Sequence, residues 1–412
     1  MTFLSRFKST YFIWFILLYN CGNPSKTTKS IAHHATEVTD SIKTKPIIVA
    51  ANQTTKYLSL LKKKNVGIVA NQTSVIFKEE NQHTHLVDSL LSLGIQITKI
   101  FGPEHGFRGQ SDAGEKVKDG FDTKTKLPIV SLHGKNRKPP AEELKGLDVV
   151  LFDIQDVGVR FYTYISTLQL IMEACAENNI PVIVLDRPNP NAHYIDGPTM
   201  KKEHTSFLGM NEIPLVYGMT IGEYAIMINE EGWLANKEKA ALTVIPLKNW
   251  SYELPYSLPI RPSPNLPNDI SIHLYPSLGL FEGTNINAGR GTEYQFQRYG
   301  ASFLDSTQYS FSYTPKPNFG SKNPKEKGSL CFGKDLSSLP RMKEVSLQWL
   351  IDGYKNTSTK NKFFLTKGFT KHAGTTKLQE QIEAHLSEKE IKATWQADIE
   401  DFKKIRKKYL LY

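Results

Sequence analysis

The sequence predicts an α/β protein with a mostly parallel sheet flanked by helices, followed by a smaller C-terminal region. Short, continuously apolar runs alternate with amphipathic stretches, which is typical of strands that are buried on both faces of a parallel sheet. A Pro- and Gly-rich segment at residues 249–298 interrupts this alternation, and weaker periodicity follows it. The length of 412 residues is sufficient for two or three domains.

The individual elements follow from local patterns in chain order. Runs such as VGIVA, VVLF and PVIVL contain no polar side chain, whereas the helical segments place apolar residues three or four positions apart. Thr220 and Glu223 form a predicted capping box at a helix start. The predicted strands are residues 66–70, 95–101, 149–152, 181–185 and 242–245, and the predicted helices are residues 85–93, 167–178, 220–231 and 377–386.

The N-terminal segment has the composition of a targeting signal and a linker. Arg6 and Lys8 precede an apolar run at residues 11–19, which is too short to span a bilayer as a helix. Cys21 follows in LYNCGN, with Leu18 three residues before it, and this arrangement resembles a bacterial lipobox. We therefore expect a signal peptide at residues 1–21, lipidation of Cys21 and a flexible tether at residues 22–45. The expected location is the bacterial cell envelope, either periplasmic or membrane-anchored, and the alternative is an uncleaved hydrophobic anchor.

Composition and missing motifs exclude several function classes. Three cysteines without a C-x-x-C motif exclude a disulfide scaffold and a zinc ribbon. Neither G-x-G-x-x-G nor G-x-x-x-x-G-K-[ST] occurs, so we expect no nucleotide. The net charge of +10 is largely dispersed or located at the two ends of the chain, so we expect no nucleic-acid partner.

Polar residues follow four of the predicted strands, at the carboxyl ends where open parallel sheets bind their ligands. Glycine and proline shape the loops that carry these residues. Because four strand ends share this feature, we predict one site lined by several loops. The candidates are Asn71 and Gln72, then Glu104, His105 and Arg108, then Asp153, Asp156, Arg160 and Tyr162, and finally Arg187 and Asn189.

Glu104 is the leading candidate for a general acid. It lies between Pro103 and His105 in a Gly-bounded loop, and a partly apolar pocket would favour its protonated form. The alternative is a loop carboxylate that caps backbone amides. His105 is a candidate base, substrate contact or metal ligand, with loop packing as the alternative. Glu115 in DAGE is a candidate second carboxylate, unless it belongs to a solvated turn.

Two aspartates and several arginines have both a functional and a structural interpretation. Asp153 and Asp156 either contact substrate or hold Arg160 in an ion pair. Arg187 either binds a substrate carboxylate or pairs with Asp186 to fix a Pro-rich turn. The aromatic residues at 161–164 either stack on a sugar face or belong to the core. Arginine suits bidentate binding of a carboxylate, and the arginines in Gly- or Pro-rich or strand-end segments are Arg108, Arg160, Arg187, Arg261 and Arg290.

A series of specific segments occurs in unbroken order between residues 64 and 300. They are GIVANQTSV, FGPEHGFRG, DAGE, LDVVLFDIQDVGVRFYTYISTL, VLDRPNPN, DGP, SFLG, IPLVYGMTIGEYA, PSPNLP and EGTNINAGRGT. Together they resemble the exo-β-N-acetylmuramidase (NamZ-type) family of bacterial glycoside hydrolases. The resemblance implies a Rossmann-like catalytic domain at residues 46–270, an auxiliary α+β domain at residues 271–412 and a cleft between them. It implies no cofactor.

The resemblance also implies a substrate and a set of roles. The family releases N-acetylmuramic acid (MurNAc) from the non-reducing end of peptidoglycan fragments such as MurNAc–GlcNAc, which serves cell-wall recycling. Glu104 corresponds to the leading catalytic residue, and Arg108, Arg160 or Arg290 would bind the lactyl carboxylate. The second catalytic group is open between a carboxylate and the substrate's own acetamido group. The residues expected to read hydroxyl and acetamido groups are Asn71, Gln72, Asn189 and Asn265.

Two other functions stay open from the sequence. One is metal-dependent hydrolysis that uses Glu104, His105, Asp153 and Asp156, and loss of activity on chelation would favour it. The other is a non-catalytic, surface-tethered glycan-binding protein. Binding of peptidoglycan fragments without any product would favour this second alternative.

Overall fold

A seven-stranded sheet forms the centre of the structure, a computed structural model that describes residues 45–79, 82–109, 119–358 and 363–412. The strands are β1 (Val66–Ala70), β2 (Val75–Phe77), β3 (His83–His85), β4 (Ile97–Gly102), β5 (Gly120–Phe121), β6 (Pro128–Ser131), β7 (Val149–Asp153), β8 (Val182–Leu185), β9 (Leu242–Ile245), β10 (Arg298–Ala301), β11 (Phe311–Tyr313) and β12 (Cys331–Asp335). The α-helices are α1 (Thr54–Leu61), α2 (Leu86–Ser92), α3 (Ala141–Leu144), α4 (Tyr164–Glu177), α5 (Ile221–Glu230), α6 (Asp269–Leu278), α7 (Gln348–Lys355), α8 (Thr366–Ala373), α9 (Lys377–Glu383), α10 (Glu388–Ala393) and α11 (Gln396–Arg406).

The strand order creates a crevice at one edge of the sheet. The order is β5-β6-β4-β1-β7-β8-β9, and all neighbours pair in parallel except β5 with β6. The parallel strands alone have the 3-2-1-4-5-6 order of the Rossmann fold. The direction of the order reverses between β1 and β7, so the loops that follow these strands diverge at their carboxyl ends. The predicted Rossmann-like, mostly parallel sheet is confirmed.

Side chains of the central strands alternate between two hydrophobic clusters, one on each face of the sheet. Val69, Phe101 and Phe152 are in register and belong to one cluster. Ile68 and Leu151, also in register, belong to the other. Both faces are therefore covered, which explains why the central strands are apolar at almost every position.

Helix α5 begins as the sequence predicts. The Oγ1 of Thr220 accepts a hydrogen bond from the backbone N–H of Glu223 (3.2 Å), and the Glu223 carboxylate accepts one from the N–H of Thr220 (2.9 Å). The predicted capping box is thus confirmed. Helix α4 begins at Tyr164, three residues before its predicted start. Its first turn is completely buried, so the amphipathic pattern does not mark it.

The smaller C-terminal part packs on the same core as the parallel sheet. It consists of an antiparallel sheet in the order β10-β12-β11 and of helices α7 to α11, which confirms the predicted α+β character. One hydrophobic cluster contains Phe152 and Leu215 together with Phe281, Phe369 and Ile399 of the C-terminal part. Residues 45–412 accordingly form one compact unit. The boundary at residues 270/271 stays a prediction.

Several predicted features lie outside the described residues. They are the signal peptide at residues 1–21 with Cys21, nearly all of the tether at residues 22–45, and Glu115 in the undescribed segment 110–118. Within the described ranges, every helix is too short or too polar to cross a bilayer.

Candidate active site

A cavity of about 140 Å³ lies where the loops after β4 and β7 meet the C-terminal part of the chain. Parallel sheets bind ligands at this end of their strands. The structure brings five predicted site residues together here, and they are Glu104, His105, Tyr162, Asn265 and Arg290. The other lining residues are Phe161, Thr163, Tyr164, Leu208, Ser263, Leu266, Tyr275, Glu282, Phe296 and His372.

Glu104 occupies a tight turn directly after β4. The N–H of Gly106 donates to the carbonyl of Pro103 (2.9 Å), which closes the turn around Glu104. The hydroxyl of Thr163 lies 3.3 Å from Oε2 of Glu104, and the hydroxyl of Tyr164 lies 3.4 Å from its backbone carbonyl. The start of α4 therefore positions a half-buried carboxyl group at the cavity wall.

His105 links this turn to a loop further along the chain. Its side chain is buried, and its Nε2 lies 3.2 Å from the hydroxyl of Ser263. The residue has a φ of 71°, in the left-handed region that costs a non-glycine residue about 1–2 kcal/mol. Strain of this kind persists where the surroundings hold it, and such positions cluster at functional sites.

Aromatic side chains form a rigid floor for the cavity. The rings of Tyr162 and Tyr164 meet edge to face with centroids 4.8 Å apart, and Phe161 and Tyr275 meet in the same way at 5.1 Å. The hydroxyl of Tyr162 donates to the carbonyl of Pro262 (2.7 Å). Burial raises the pKa of Tyr164 and of Tyr275, so both hydroxyls stay protonated.

The C-terminal part contributes a second carboxylate that the sequence did not single out. Both carboxylate oxygens of Glu282 lie 3.3 Å from Nη1 of Arg290. Burial opposes ionisation of Glu282, but the attraction of Arg290 and Lys325 outweighs it, so its pKa lies below the ordinary value. The sequence could have identified Glu282, because it is the first residue of the EGTNINAGRGT segment, which also contains Arg290.

His372 is a further cavity residue that the sequence analysis missed. It lies in the last turn of α8, and its Nδ1 is 2.9 Å from the carbonyl of Gly368. Its ring packs against that of Phe161, with centroids 5.4 Å apart. Burial lowers its pKa. The surrounding sequence carries no motif, so only the packing of α8 identifies this residue.

Arg160 does not face a substrate carboxylate, contrary to one expectation from the sequence. Its guanidinium is completely buried, and burial lowers its pKa to about 9. It forms no ion pair with Asp153 or Asp156. Instead, its nitrogens donate to four backbone carbonyls at 2.7–2.9 Å, and these belong to Pro198, Ile213, His372 and Ala373. Arg160 thus fixes the end of α8 against the parallel-sheet part.

Asp153 and Arg187 pair with each other rather than with a ligand. Oδ1 of Asp153 accepts from Nε of Arg187 (2.6 Å), and Oδ2 accepts from Nη2 (2.8 Å). Both side chains are buried and neither lines the cavity. Asp186 and Arg187 do not form the expected side-chain ion pair. Oδ1 of Asp186 instead accepts from the backbone N–H of Arg187 (2.9 Å), and Oδ2 accepts from the hydroxyls of Thr220 (2.7 Å) and Tyr412 (2.6 Å).

Asp156 and Asn189 also lie outside the cavity lining and hold backbone segments in place. Oδ2 of Asp156 accepts from the N–H of Gly158 (2.6 Å) and from the hydroxyl of Tyr217. Burial raises the pKa of Asp156 to about 7. The amide of Asn189 donates to the carbonyl of Met219 (2.8 Å).

Three more predicted substrate contacts do not line the cavity and have protein partners instead. Asn71 is buried and its Oδ1 accepts from the N–H of Thr73 (2.8 Å). The amide of Gln72 donates to the backbone carbonyls of residues 261 and 262. Arg108 forms a bidentate ion pair with Asp122 at 2.7–2.8 Å. These residues shape the surrounding loops.

Two predicted residues present unsatisfied polar atoms beside the cavity. Oδ1 of Asn265 and Nε of Arg290 are buried and have no hydrogen-bond partner within the described parts of the chain. The other ends of both side chains are fixed, because Nδ2 of Asn265 (2.7 Å) and Nη2 of Arg290 (3.3 Å) donate to the carbonyl of Gly320. One acceptor and one donor among the cavity residues therefore lack a described partner, which is rare for buried polar groups.

The residues of the metal-hydrolase alternative do not assemble into a ligand set. Glu104 and His105 line the cavity, whereas Asp153 and Asp156 are occupied by Arg187, Tyr217 and backbone amides. Across the described ranges, no three His, Cys, Asp or Glu side chains come close enough to hold a metal ion.

Comparison with known proteins identifies the family. The N-terminal model of the exo-beta-N-acetylmuramidase NamZ family matches residues 66–270, and its C-terminal model matches residues 273–412. The chain belongs to the NamZ family. A curated relative, peptidoglycan beta-N-acetylmuramidase NamZ of Bacillus subtilis (strain 168), is 39% identical over 378 residues, which are 86% of this chain and 89% of that protein.

Two crystal structures from Bacteroides fragilis NCTC 9343, both described as DUF1343 family proteins, share the NamZ fold of this chain. One is 43% identical with a TM-score of 0.81, and the other is 28% identical with a TM-score of 0.76. Each match covers 89% of this chain and 99% of the solved chain. The fold of both matched parts is therefore shared by solved proteins.

Proposed function

We propose that this chain is an exo-acting β-N-acetylmuramidase, a glycoside hydrolase that releases MurNAc from the non-reducing end of peptidoglycan fragments. Membership of the NamZ family and the name of the Bacillus subtilis relative support this proposal. One observation of the site carries it. A single cavity is lined by Glu104, Arg290 and Asn265, and the latter two side chains each carry a buried polar atom without a described partner.

Glu104 is assigned the role of general acid. Hydrolysis of a glycoside requires a proton on the departing oxygen, and a carboxylic acid at the wall of a partly apolar cavity supplies it. The turn after β4 and the hydroxyl of Thr163 hold this carboxyl group in place. Its removal is therefore expected to reduce the chemical step rather than the stability of the fold.

The charges around the cavity suit an acidic, N-acetylated sugar. MurNAc carries a lactyl carboxylate, for which the guanidinium of Arg290 is a fitting partner. Its acetamido N–H and its hydroxyls are donors that Oδ1 of Asn265 can accept. Arg290 also neutralises Glu282, so an entering carboxylate does not meet an uncompensated negative charge.

We further propose that the protein acts in the bacterial cell envelope. The sequence features that support this are the predicted signal peptide at residues 1–21 and Cys21 in its lipobox-like setting. Mass spectrometry of the N-terminal peptide from membranes tests it. Diacylglyceryl modification of Cys21 is expected, and an unmodified, uncleaved N-terminus would contradict it.

The substrate assignment is tested with two isomeric disaccharides. We expect free MurNAc from MurNAc–GlcNAc and none from GlcNAc–MurNAc, as measured by liquid chromatography with mass spectrometry. Release should persist in the presence of a chelator, which separates this proposal from metal-dependent hydrolysis. Binding of MurNAc–GlcNAc without any product after long incubation would contradict the proposal and favour a glycan-binding protein.

A further inference from the structure

His372 is held in one defined hydrogen-bonding state. Its Nδ1 lies 2.9 Å from the carbonyl oxygen of Gly368, and a carbonyl only accepts. Nδ1 therefore carries the hydrogen of the ring. The neutral imidazole, which burial favours, then has its lone pair on Nε2. No described residue forms a hydrogen bond with Nε2, so this nitrogen is able to accept a proton from a group that binds in the cavity.

Two elements fix the position of this ring. Nη2 of Arg160 donates to the carbonyls of His372 (2.9 Å) and Ala373 (2.8 Å), at the end of α8. Phe161, the next residue after Arg160, packs against the imidazole itself. Complete burial of the Arg160 guanidinium costs desolvation free energy, although its nitrogens donate to backbone carbonyls. The effect of Arg160 here is to hold His372 against the cavity.

The groups around His372 act in opposite directions on a proton at its ring, and their net effect lowers its pKa. Burial is the largest influence on its pKa and lowers it, as do the positive charges of Lys325 and Arg160. The carboxylate of Glu282 acts in the opposite direction. An imidazolium formed during a reaction would thus gain a carboxylate neighbour, in the way that an acidic residue supports the histidine of a catalytic triad.

His372 and Glu104 lie at two ends of one short segment of the cavity floor. Phe161 contacts the ring of His372, and Thr163 contacts the carboxyl group of Glu104. Residues 161 and 163 are at most about 7 Å apart, since an extended chain spans ~3.3–3.6 Å per residue. Glu104 and His372 therefore line one cavity from neighbouring positions of its floor. Inverting glycosidases separate their acid and base by ~6.5–9.5 Å, which leaves room for the attacking water molecule.

We propose that His372 is the general base of the reaction. Its Nε2 takes a proton from the water molecule whose oxygen bonds to the anomeric carbon of MurNAc. As that bond forms, the bond from the anomeric carbon to the glycosidic oxygen breaks, and Glu104 gives its proton to this oxygen. The imidazolium beside Glu282 then loses its proton, and the Glu104 carboxylate regains one, through solvent. This inference rests on the proposed function and adds that the reaction inverts the anomeric centre.

The experiment has two parts. First, ¹H NMR of MurNAc–GlcNAc hydrolysis by the unaltered protein identifies the anomer formed first, before mutarotation. We expect α-MurNAc, and β-MurNAc formed first would overturn the proposal. This part does not depend on the stability of any variant. Absence of MurNAc altogether would instead contradict the proposed function, so the two failures are distinguishable.

Second, His372→Gln keeps a hydrogen-bonding side chain but removes the base. We expect kcat to fall at least 100-fold, because general base catalysis contributes about 10²–10⁴-fold. The control is His83→Gln, which changes an exposed histidine outside the cavity and should retain wild-type kcat. Circular dichroism of the variants shows that they are folded. A His372→Gln enzyme with kcat within threefold of the wild-type value would overturn the assignment, whatever the anomer.

Discussion

At the residue scale, burial and partners give acidic side chains near the cavity different charges. Burial raises the pKa of Asp156 to about 7, because hydrogen bonds from Tyr217 and Gly158 compensate only partly for lost hydration. Glu282 has the opposite shift, since Arg290 and Lys325 outweigh its burial. The same carboxyl chemistry therefore yields a neutral or an ionised group according to its neighbours.

Asp156 makes the stability of the protein depend on pH. Its pKa is about 7 in the folded state and ~3.9 in an unfolded chain. Between these values the folded state binds more protons, so the contribution of Asp156 to the free energy of unfolding falls as pH rises from about 4 to about 7. Asp156→Asn removes that contribution.

We expect the melting temperature of Asp156→Asn, relative to the wild-type protein, to rise by several degrees between pH 5 and pH 8, measured by differential scanning calorimetry. Asp398→Asn is the control, because Asp398 is a partly exposed partner of Lys201. An equal difference at both pH values would contradict the raised pKa of Asp156.

Two acidic residues at the carboxyl ends of strands, Glu104 and Asp153, lie in different environments. The strand-end rule selects Glu104 and Asp153 alike. Asp153, however, is the last residue of β7 and still pairs in register with Ala70, so it lies within the sheet and is buried. Glu104 lies two residues beyond the end of β4 and reaches the cavity. The sequence position of a residue does not show whether it lies within the sheet or beyond the end of its strand.

At the element scale, the site depends on how α8 approaches the segment at residues 279–283. Gly283 makes this approach possible, because a Cβ atom there would lie 2.3 Å from Cα of Phe369 and 2.7 Å from its backbone nitrogen. The obstacle is backbone of α8, which cannot rotate away. Glu282 and His372 are thus brought to one cavity by two elements that meet at a glycine.

Gly283→Ala is expected to push α8 away from the cavity. We expect kcat/KM for MurNAc–GlcNAc to fall at least tenfold, together with a lower melting temperature, because the positions of Glu282 and His372 both change. Gly120→Ala is the matched control, since no atom lies within 4 Å of a Cβ at that position. Equal kcat/KM values for the two variants would contradict the proposed role of this contact.

Elements were predictable where burial leaves a clear pattern. β1, β7 and β8 are buried at every position and almost continuously apolar, and all three were predicted. β9, at one edge of the sheet, is only partly buried, but its sequence LTVI was also recognised as a strand. β5 at the other edge and its neighbour β6 are short and more exposed, so their residues do not form such apolar runs. The approach of α8 to the cavity depends on tertiary packing, which no local pattern encodes.

At the scale of the whole molecule, the last residue of the chain returns to the parallel sheet. The hydroxyl of Tyr412 donates to Asp186 (2.6 Å) and accepts from the N–H of Leu247 (2.8 Å). The N–H of Leu411 donates to the Glu223 carboxylate (2.7 Å). Together with the shared hydrophobic cluster, these contacts join the two family-matched parts into one unit.

Tyr412→Phe removes only the hydroxyl from this junction. It leaves the N–H of Leu247 without its partner and takes one donor from Asp186, so we expect the free energy of unfolding in urea to fall by about 1–3 kcal/mol. Tyr409→Phe is the control, because its more exposed hydroxyl bonds to Glu231 (2.6 Å) near solvent. A smaller loss for Tyr412→Phe than for Tyr409→Phe would contradict the anchoring role.

The proposed function depends above all on Glu104, which we propose supplies the proton for release of MurNAc. The most direct measurement compares Glu104→Gln with Glu142→Gln, an exposed glutamate on α3, in the hydrolysis of MurNAc–GlcNAc. We predict that Glu104→Gln stays folded by circular dichroism but loses at least 100-fold in kcat, whereas Glu142→Gln retains wild-type kcat. Release of MurNAc by Glu104→Gln at the wild-type rate would contradict the assignment of Glu104 as the general acid.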